Sequence, residues 1–152
     1  MISLRTATRD DIPTLADILA NVEGQADPSI DVEARRKALV EEIPMYFGKD
    51  GPESILSIVE LDGVPVGRFR VVRFPDRIFL AGIQIHPRFQ GNGIGTHLII
   101  ELIEESRKTA KPLQLDVDRD NEGARRLYRR LGFEQYAESE KDIHMTFRPE
   151  SP

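Results

Sequence analysis

Three glycines lie close together in the segment RFQGNGIG, which runs from Arg88 to Gly95. They are Gly91, Gly93 and Gly95. Glycine has no Cβ and lets another group approach the backbone closely, but ordering it costs conformational entropy. Because the chain has only 11 glycines among 152 residues, three in one short stretch indicate that something must come close to the backbone here.

The segment THLIIELIEE follows at once and predicts a helix that begins at the glycines. The start of a helix presents backbone N–H groups without intrahelical partners, and the helix dipole favours negative charge there. A glycine-rich turn lets a phosphate reach these donors. The order of strand, glycine turn and helix therefore favours a phosphate-bearing ligand.

Two common phosphate motifs fit the segment poorly. The Walker loop requires Gly-Lys-Ser/Thr, whereas Gly95 is followed by Thr96 without a lysine. The dinucleotide fingerprint requires its glycines directly after a strand, whereas HPRFQ intervenes here. Asp116 and Asp118 do lie about 20 residues on, where that fingerprint has its acid, so the fingerprint stays open. A plain turn whose glycines only pack against the helix is the third alternative.

Composition narrows the class of protein. The net charge of −5 gives no basic excess for nucleic acid. The absence of cysteine excludes disulfides, thiolate metal ligands and a cysteine nucleophile. With three scattered histidines, we expect no metal site. The start MISLRTATRD lacks the apolar run of a signal peptide, and no apolar stretch is long enough for a membrane helix. We therefore expect a soluble, cytoplasmic protein that does not bind membranes.

The expected order of elements is β-α-α-β-β-β-α-β-α-β-β. It predicts one domain over residues 1–152 of the α/β (α+β) class, with a mixed central sheet of about six to seven strands flanked by about four helices.

Local signals place the first helices. A helix begins near Thr8, with Asp11 at capping-box spacing. The segment EGQADPS, which contains Gly24, predicts a loop. A second helix begins near Asp31 and ends or kinks at Pro44.

The remaining elements are mostly strands. Asp62-Gly63 between two β-rich segments predicts a hairpin. IFLAGIQI, residues Ile78–Ile85, is apolar on both faces, as a central strand should be. PLQLDVD and DIHMTFR alternate apolar and polar residues and predict two further strands. NEGARRLYRRLGF predicts a short helix that ends at Gly132.

Two blocks of sequence resemble one known family. QGNGIG is similar to the Gln/Arg-x-x-Gly-x-Gly/Ala signature of the GNAT family of acyl-CoA N-acyltransferases, with Gln90, Gly93 and Gly95 at the fixed positions. A later segment resembles the family's Asn-x-x-Ala-x-x-x-Tyr-x-x-x-Gly-Phe block, with the residues Asn121, Ala124, Tyr128, Gly132 and Phe133. The blocks occur in the family's order, and the predicted elements from Met1 to Arg148 follow its fold.

The resemblance implies acetyl-CoA as the cosubstrate. It places the pyrophosphate on the loop that begins at Gln90. The backbone donors there would be those of Gly91, Asn92, Gly93, Ile94, Gly95 and Thr96. It also implies that the pantetheine arm pairs with the backbone of Ile83 and Ile85, where the strand 78–85 splays from the strand 113–117. Gly82 is compatible with a bulge nearby. Asn121 would cap its helix and contact the arm.

The resemblance also implies a general acid. Tyr128 would protonate the departing CoA thiolate; on position alone it would be a core aromatic. A backbone N–H near Ile85 is the expected oxyanion donor. The general base is not readable from the sequence: Glu60 is a weak candidate, His86 is expected to be structural, and His97 and His144 are expected at the surface or in packing.

The function implied is acetyl transfer from acetyl-CoA to a primary amine by direct attack in a ternary complex. Two alternatives stay open, an acyl-CoA sensor without turnover and a dinucleotide oxidoreductase. The acceptor is expected to be a small-molecule or peptide amine, and a homodimer is left open. The acidic residues between Glu23 and Glu42 weakly favour a cationic acceptor, although a solvated helix face explains them as well. The arginines of ARRLYRR are expected on a solvated face, with one or two of them or Arg88 at the adenosine 3′-phosphate.

Overall fold

The computed structural model describes residues 1–47 and 54–150. Within them, seven strands form a mixed sheet in the order β1-β2-β3-β4-β5-β7-β6. The strands are β1 (Ile2–Thr6), β2 (Ser54–Leu61), β3 (Val64–Arg73), β4 (Ile78–Ile85), β5 (Leu113–Asp118), β6 (Glu134–Glu138) and β7 (Asp142–Phe147). The flanking α-helices are α1 (Ile12–Ala26), α2 (Val32–Glu42), α3 (Ile94–Thr109) and α4 (Glu122–Arg130). The predicted order of elements and the predicted fold class are confirmed.

The chain divides into two compact units. Unit 1 comprises Met1–Arg70 and Gly82–Gly95, and unit 2 comprises Val71–Ala81 and Thr96–Pro152. The single domain expected over residues 1–152 stays a prediction, and residues 48–53 and 151–152 of that span lie outside the described residues.

In unit 1, α1 and α2 form a core with β2. The carboxylate of Asp31 caps α2 by accepting from the Ala34 N–H at 3.1 Å, and α2 ends before Pro44, as predicted. The buried side chains of this core are those of Leu15, Ala16, Ala20, Leu39, Ile43, Leu56 and Ile58. Burial of these apolar groups is what holds two short helices against the sheet.

The predicted loop EGQADPS begins too early, because α1 continues through Gly24 to Ala26. The first residue of α2 explains the glycine: a Cβ on Gly24 would lie 2.5 Å from Cγ2 of Val32. Gly24 is therefore a contact point between helices rather than a helix breaker. Sequence composition cannot separate these two roles, since both call for the same residue.

The hairpin between β2 and β3 forms where it was predicted. Asp62 and Gly63 both have positive φ, 51° and 83°, which two-residue hairpin turns require. β1 pairs antiparallel with β2 on the other side, with Ile2 opposite Leu61.

In unit 2, β5 is the central strand, with a neighbouring strand on each side. It pairs in parallel with β4 over Ile78–Leu80 and Leu113–Leu115, and antiparallel with β7. Alternate residues of β5 and β7 are buried on one face: Leu113, Leu115, Val117, Ile143, Met145 and Phe147. The ring of Phe147 contacts Phe133, which contacts Tyr128 of α4, and Arg107 of α3 lies over the Phe147 ring. Both α3 and α4 thus contact this apolar face.

Gly67 lets β3 approach β4 closely, and a substitution with alanine tests this contact. A Cβ at Gly67 would lie 2.6 Å from the backbone carbonyl oxygen of Gln84, so Gly67→Ala should cost about 1–3 kcal/mol of stability. At about 2–4 °C per kcal/mol, the melting temperature should fall by several degrees. Gly95→Ala is the control, since its Cβ would make only ordinary contacts at 3.7 Å or more. Equal melting temperatures for the two variants would contradict this assignment.

Candidate active site

The loop between β4 and α3 has an open backbone. Gly91 and Gly93 have φ values of 82° and 75°, which side chains rarely tolerate. A Cβ built on either residue would meet no atom within 4 Å. The two glycines therefore leave the backbone of the loop unobstructed at the start of α3, and they do not serve close packing within the protein. The alternative of a plain turn with helix-packing glycines does not describe Gly91 and Gly93.

Side chains fix the two ends of this loop. Gln90 donates from Nε2 to the carbonyl of Ile85 at 2.9 Å and exchanges hydrogen bonds with Gln25 of α1, both at 2.9 Å. Asn92 donates to the carbonyl of Phe89 at 3.1 Å. The Gln90 side chain thus secures the loop to β4 and α1, which the sequence motif did not specify.

The first turn of α3 is suited to an anion. It contains no acidic residue, so no carboxylate competes for its N–H groups. Ile94 is buried and anchors the helix start, while Thr96 is half-buried beside it. Gly95 lies against Ile83 and Ile85 of β4.

The backbone of β4 changes its hydrogen-bonding direction once along its length. Ile78 donates its N–H to the carbonyl of Pro112, just before β5. His86, eight residues on, donates to Val66 of β3. In an uninterrupted strand residues an even number apart point their N–H groups to the same side, so the regular alternation does not extend from Ile78 to His86. Gly82, which lies between them, is compatible with a bulge that would account for the change.

The backbone directions at Gln84 and His86 indicate which edge of β4 the expected cofactor residues Ile83 and Ile85 face. Gln84 directs its carbonyl toward Gly67 of β3, as His86 directs its N–H toward β3. Ile83 and Ile85 alternate with them, so their N–H and C=O groups point to the edge of β4 away from β3. Arg68 of β3 lies over Gly82 and donates to Oε1 of Gln84 at 2.8 Å.

Tyr128 is buried at the C-terminal half of α4, with a side chain that is 8% exposed. Burial raises the pKa of its phenol above the ordinary value, because a phenolate would be desolvated there. Among the described residues its hydroxyl finds no hydrogen-bond partner, and the hydroxyl is not sealed from solvent. A protonated phenol with an uncommitted O–H is what a general acid requires.

Asn121 occupies the cap position expected for it. Its Oδ1 accepts from the N–H of Ala124 at 3.1 Å at the start of α4. Asn121 and Tyr128 therefore sit at opposite ends of one helix. The helix ends at Arg130, and Gly132, just after the C-cap residue, has a φ of 104°.

The three histidines and Glu60 have distinct environments. Nδ1 of His86 accepts from the Arg88 N–H at 3.1 Å and its Nε2 lies 3.6 Å from Asp17, so His86 is structural as expected. His97 pairs with Glu101 on the exposed side of α3. Glu60 accepts a hydrogen bond at 3.4 Å from Nε of Arg5, a residue of the edge strand β1.

His144 has a partner that sequence reasoning missed. Its Nδ1 is hydrogen-bonded to Oδ1 of Asp116 on β5. The two residues are 28 positions apart in the sequence, and no local pattern links them. Only the pairing of β5 with β7 brings them together.

The remaining charges mostly pair with one another. Arg126, Arg129 and Arg130 are exposed, as expected of a solvated face, and Arg88 is exposed as well. Arg125, which was expected on the same face, is instead partly buried and donates to the carbonyl of Arg119 and to Glu122. Unit 1 contains a pocket of about 270 Å³. Its lining comprises Leu15, Leu19, Glu23, Arg35, Leu39, Glu42, Ile43, Leu56 and Arg68. Arg35 binds both Glu23 and Glu42 there, so the acidic composition of this region overstates its free negative charge.

Comparison with known proteins identifies the family. The sequence model of the Acetyltransferase (GNAT) family matches residues 18–133. The chain therefore belongs to the GNAT acetyltransferase family, and the resemblance of its two sequence blocks is confirmed. An uncharacterized N-acetyltransferase of Methanocaldococcus jannaschii is 44% identical over 54 residues, which are 35% of this chain and 24% of that protein. The match thus spans about a quarter of that relative's length.

Solved structures share the fold along the whole chain. PaiA N-acetyltransferase from Thermoplasma acidophilum, crystallised with coenzyme A, has a TM-score of 0.75 at 16% identity, covering 97% of this chain and 99% of that one. The ribosomal-protein-S18-alanine N-acetyltransferase from Escherichia coli has a TM-score of 0.70 at 20% identity, covering 100% and 96%. An acetyltransferase from Thermus thermophilus reaches 0.77 at 17% identity, covering 97% of each.

Among the described residues, none of the helices combines the length and apolar character that crossing a bilayer would take. The same residues contain no group of three or more histidine, aspartate or glutamate side chains placed to hold a metal ion.

The environment of Tyr128 generates a titration prediction. Because burial disfavours the phenolate, Tyr128 should ionise above pH 10. NMR of protein labelled at the tyrosine ring carbons should show this late titration, and Tyr128→Phe should identify the resonance by removing it. A Tyr128 resonance that titrates well below pH 10 would contradict the environment described.

Proposed function

We propose that the protein is an acetyl-CoA-dependent N-acetyltransferase that moves an acetyl group to a primary amine by direct attack in a ternary complex. The observation that carries the proposal is the open loop Gln90–Gly95 in front of an α3 N-terminus without acids, in a chain of the GNAT family. The coenzyme A bound to PaiA N-acetyltransferase of the same fold supports the choice of donor.

The donor would be held by backbone groups. The pyrophosphate would receive N–H groups from Gly91 through Thr96, for which no charged side chain is needed. Gln90 would act by holding the loop in place, since its side chain is engaged within the protein. The pantetheine arm would pair with Ile83 and Ile85, whose peptide groups point away from β3.

The absence of cysteine from the chain favours direct attack by the amine over a cysteine-linked acyl-enzyme. The amine attacks the thioester carbonyl carbon, and the oxygen becomes an oxyanion that a β4 N–H near Ile85 would stabilise. Collapse of the tetrahedral intermediate breaks the C–S bond. Tyr128 would protonate the departing thiolate, a role that its raised pKa and uncommitted hydroxyl support.

The acceptor is proposed as a small-molecule or peptide amine. Two structural neighbours are named for different acceptors. One is the ribosomal-protein-S18-alanine N-acetyltransferase, and the other is a putative phosphinothricin N-acetyltransferase. These names therefore do not favour either a peptide or a small-molecule acceptor. The pocket between α1, α2 and the strands of unit 1 is a candidate for part of the acceptor site.

The cofactor assignment predicts selective stabilisation. Saturating acetyl-CoA, at about 100 times its Kd, should raise the melting temperature by about 5–10 °C, because it binds only the folded state. ATP and NAD should do much less, because the loop has no Walker lysine. Gly93→Val should abolish the acetyl-CoA shift, since its side chain would enter the space in front of α3.

The matched control is Gly63→Val. Gly63 has a similar φ of 83° and equally open surroundings, but it lies in the β2–β3 turn. Both variants should lose similar stability from backbone strain, and only Gly93→Val should lose the response to acetyl-CoA. Equal stabilisation by NAD, or an unchanged acetyl-CoA response in folded Gly93→Val, would refute the placement of the donor.

If Tyr128 is the general acid, removing its hydroxyl should lower kcat and leave the binding of acetyl-CoA unchanged. A thiol-release assay should first find an acceptor among polyamines, amino acids, aminoglycosides and peptides with free N-termini. With that acceptor, Tyr128→Phe should lower kcat by about 10²–10⁴-fold. The KM for acetyl-CoA should change little, since the ring still packs. A folded variant with wild-type kcat would exclude Tyr128 as the acid. Acetyl-CoA binding without thiol release for any amine would instead indicate a sensor.

A further inference from the structure

A histidine–aspartate pair lies on the face of unit 2 opposite to its helices. His144 and Asp116 are directly opposite each other in the β5–β7 ladder. Their neighbours Leu115 and Met145 point to the other, buried face that α3 and α4 contact. Since successive strand residues alternate between faces, the pair projects away from both helices. Its side chains remain partly exposed, 24% for His144 and 38% for Asp116.

The hydrogen bond determines which ring nitrogen can accept a proton. A carboxylate only accepts hydrogen bonds, so the proton of the neutral imidazole lies on Nδ1, next to Asp116. Nε2 then carries the lone pair. Among the described residues Nε2 has no partner, so this pair has the arrangement in which an aspartate orients a histidine base.

The pair stands at a particular point of the sheet. The parallel ladder between β4 and β5 ends at Leu115, and Asp116 is the first β5 residue beyond it. The other titratable groups on this face are Asp118 of β5, Asp142 of β7, and Glu134 and Tyr136 of β6. The Tyr136 ring lies 6.1 Å from the His144 ring. These are acids and a phenol, and no cation of these strands occupies the face beside His144.

Resting on the proposed N-acetyltransferase function, we infer that His144 is the general base for the acceptor amine and that Asp116 is its positioning residue. Nε2 takes one proton from the ammonium and passes it to solvent. The freed lone pair forms the C–N bond as the C=O π electrons move to oxygen. The nitrogen then loses its second proton to solvent, the C–S bond breaks, and Tyr128 protonates the thiolate and is reprotonated from solvent. One ammonium and one acetyl thioester give one amide, one thiol and one proton.

The other candidates lack a nitrogen or carboxylate suited to this role. His86 uses one ring nitrogen on the Arg88 N–H and directs the other toward Asp17. Glu60 is engaged by Arg5. His97 lies on the exposed side of α3, paired with Glu101.

The experiment measures kcat against pH for the wild type and three variants, with saturating acetyl-CoA and the amine that the wild type acetylates fastest in the panel above. His144→Gln should lower kcat about 10²-fold or more near neutral pH, with the KM for acetyl-CoA and the melting temperature unchanged. The defect should shrink as pH rises, because solvent then deprotonates the amine without help. Asp116→Asn should show the same pattern, since an amide donor would move the lone pair to Nδ1. His97→Gln, a histidine that also pairs with a carboxylate, should match the wild type.

The outcomes separate the base from the proposed function. A His144→Gln variant with wild-type kcat at neutral pH would overturn the inference and leave the acetyltransferase intact. A defect of the same size at every pH would show a packing role and would also overturn it. Absence of thiol release by the wild type with every amine would remove the proposed function, and the base with it.

Discussion

The change of hydrogen-bonding direction within β4 is the constraint on which the candidate site depends. Ile78 bonds to the segment leading into β5, whereas His86, just past the end of the strand, donates to Val66 of β3, and the Gln84 carbonyl lies against Gly67 of β3. Without this change of direction, Ile83 and Ile85 would direct their peptide groups into the ladder with β3. The Ile85 carbonyl would then be unavailable to Gln90, and the glycine loop would lose its attachment to the sheet. The change of direction thus turns the peptide groups of Ile83 and Ile85 away from β3, and it leaves the Ile85 carbonyl to anchor the loop.

The glycine loop is open because other residues hold it in place. Gly91 and Gly93 adopt positive φ and touch nothing, so they contribute no packing of their own. The loop's order comes from buried Ile94 after it and from Gln90 at its start, which bonds to both Ile85 and Gln25. Ordering such glycines costs conformational entropy, and the proposed binding of a phosphate group would make use of the open backbone.

Most of the fold follows from local sequence signals, and the exceptions share a physical cause. Asp31, Asn121 and Gly132 mark helix ends through their own side chains or backbone, so short stretches suffice to place them. Gly24 was misread because its role depends on Val32 of the next helix. The Gln25–Gln90 and Asp116–His144 contacts join residues 65 and 28 positions apart. Such partners are set by how elements pair, which no window along the sequence contains. The sequence motifs likewise marked the loop and Tyr128, but they did not indicate His144, the proposed base.

An active site that uses both an acid and a base requires one group that is protonated and can donate a proton, and another that is unprotonated and can accept one. In the proposed reaction the amine must lose a proton while the thiolate gains one. In unit 2 the proposed acid and base lie on opposite sides of the β5–β7 layer: Tyr128 contacts the aromatic cluster on the helix side, and His144 projects from the other side. Burial favours the protonated phenol of Tyr128, whereas the side chain of His144 is partly exposed to water. The alternation of side chains along two strands is therefore sufficient to give the two groups opposite environments.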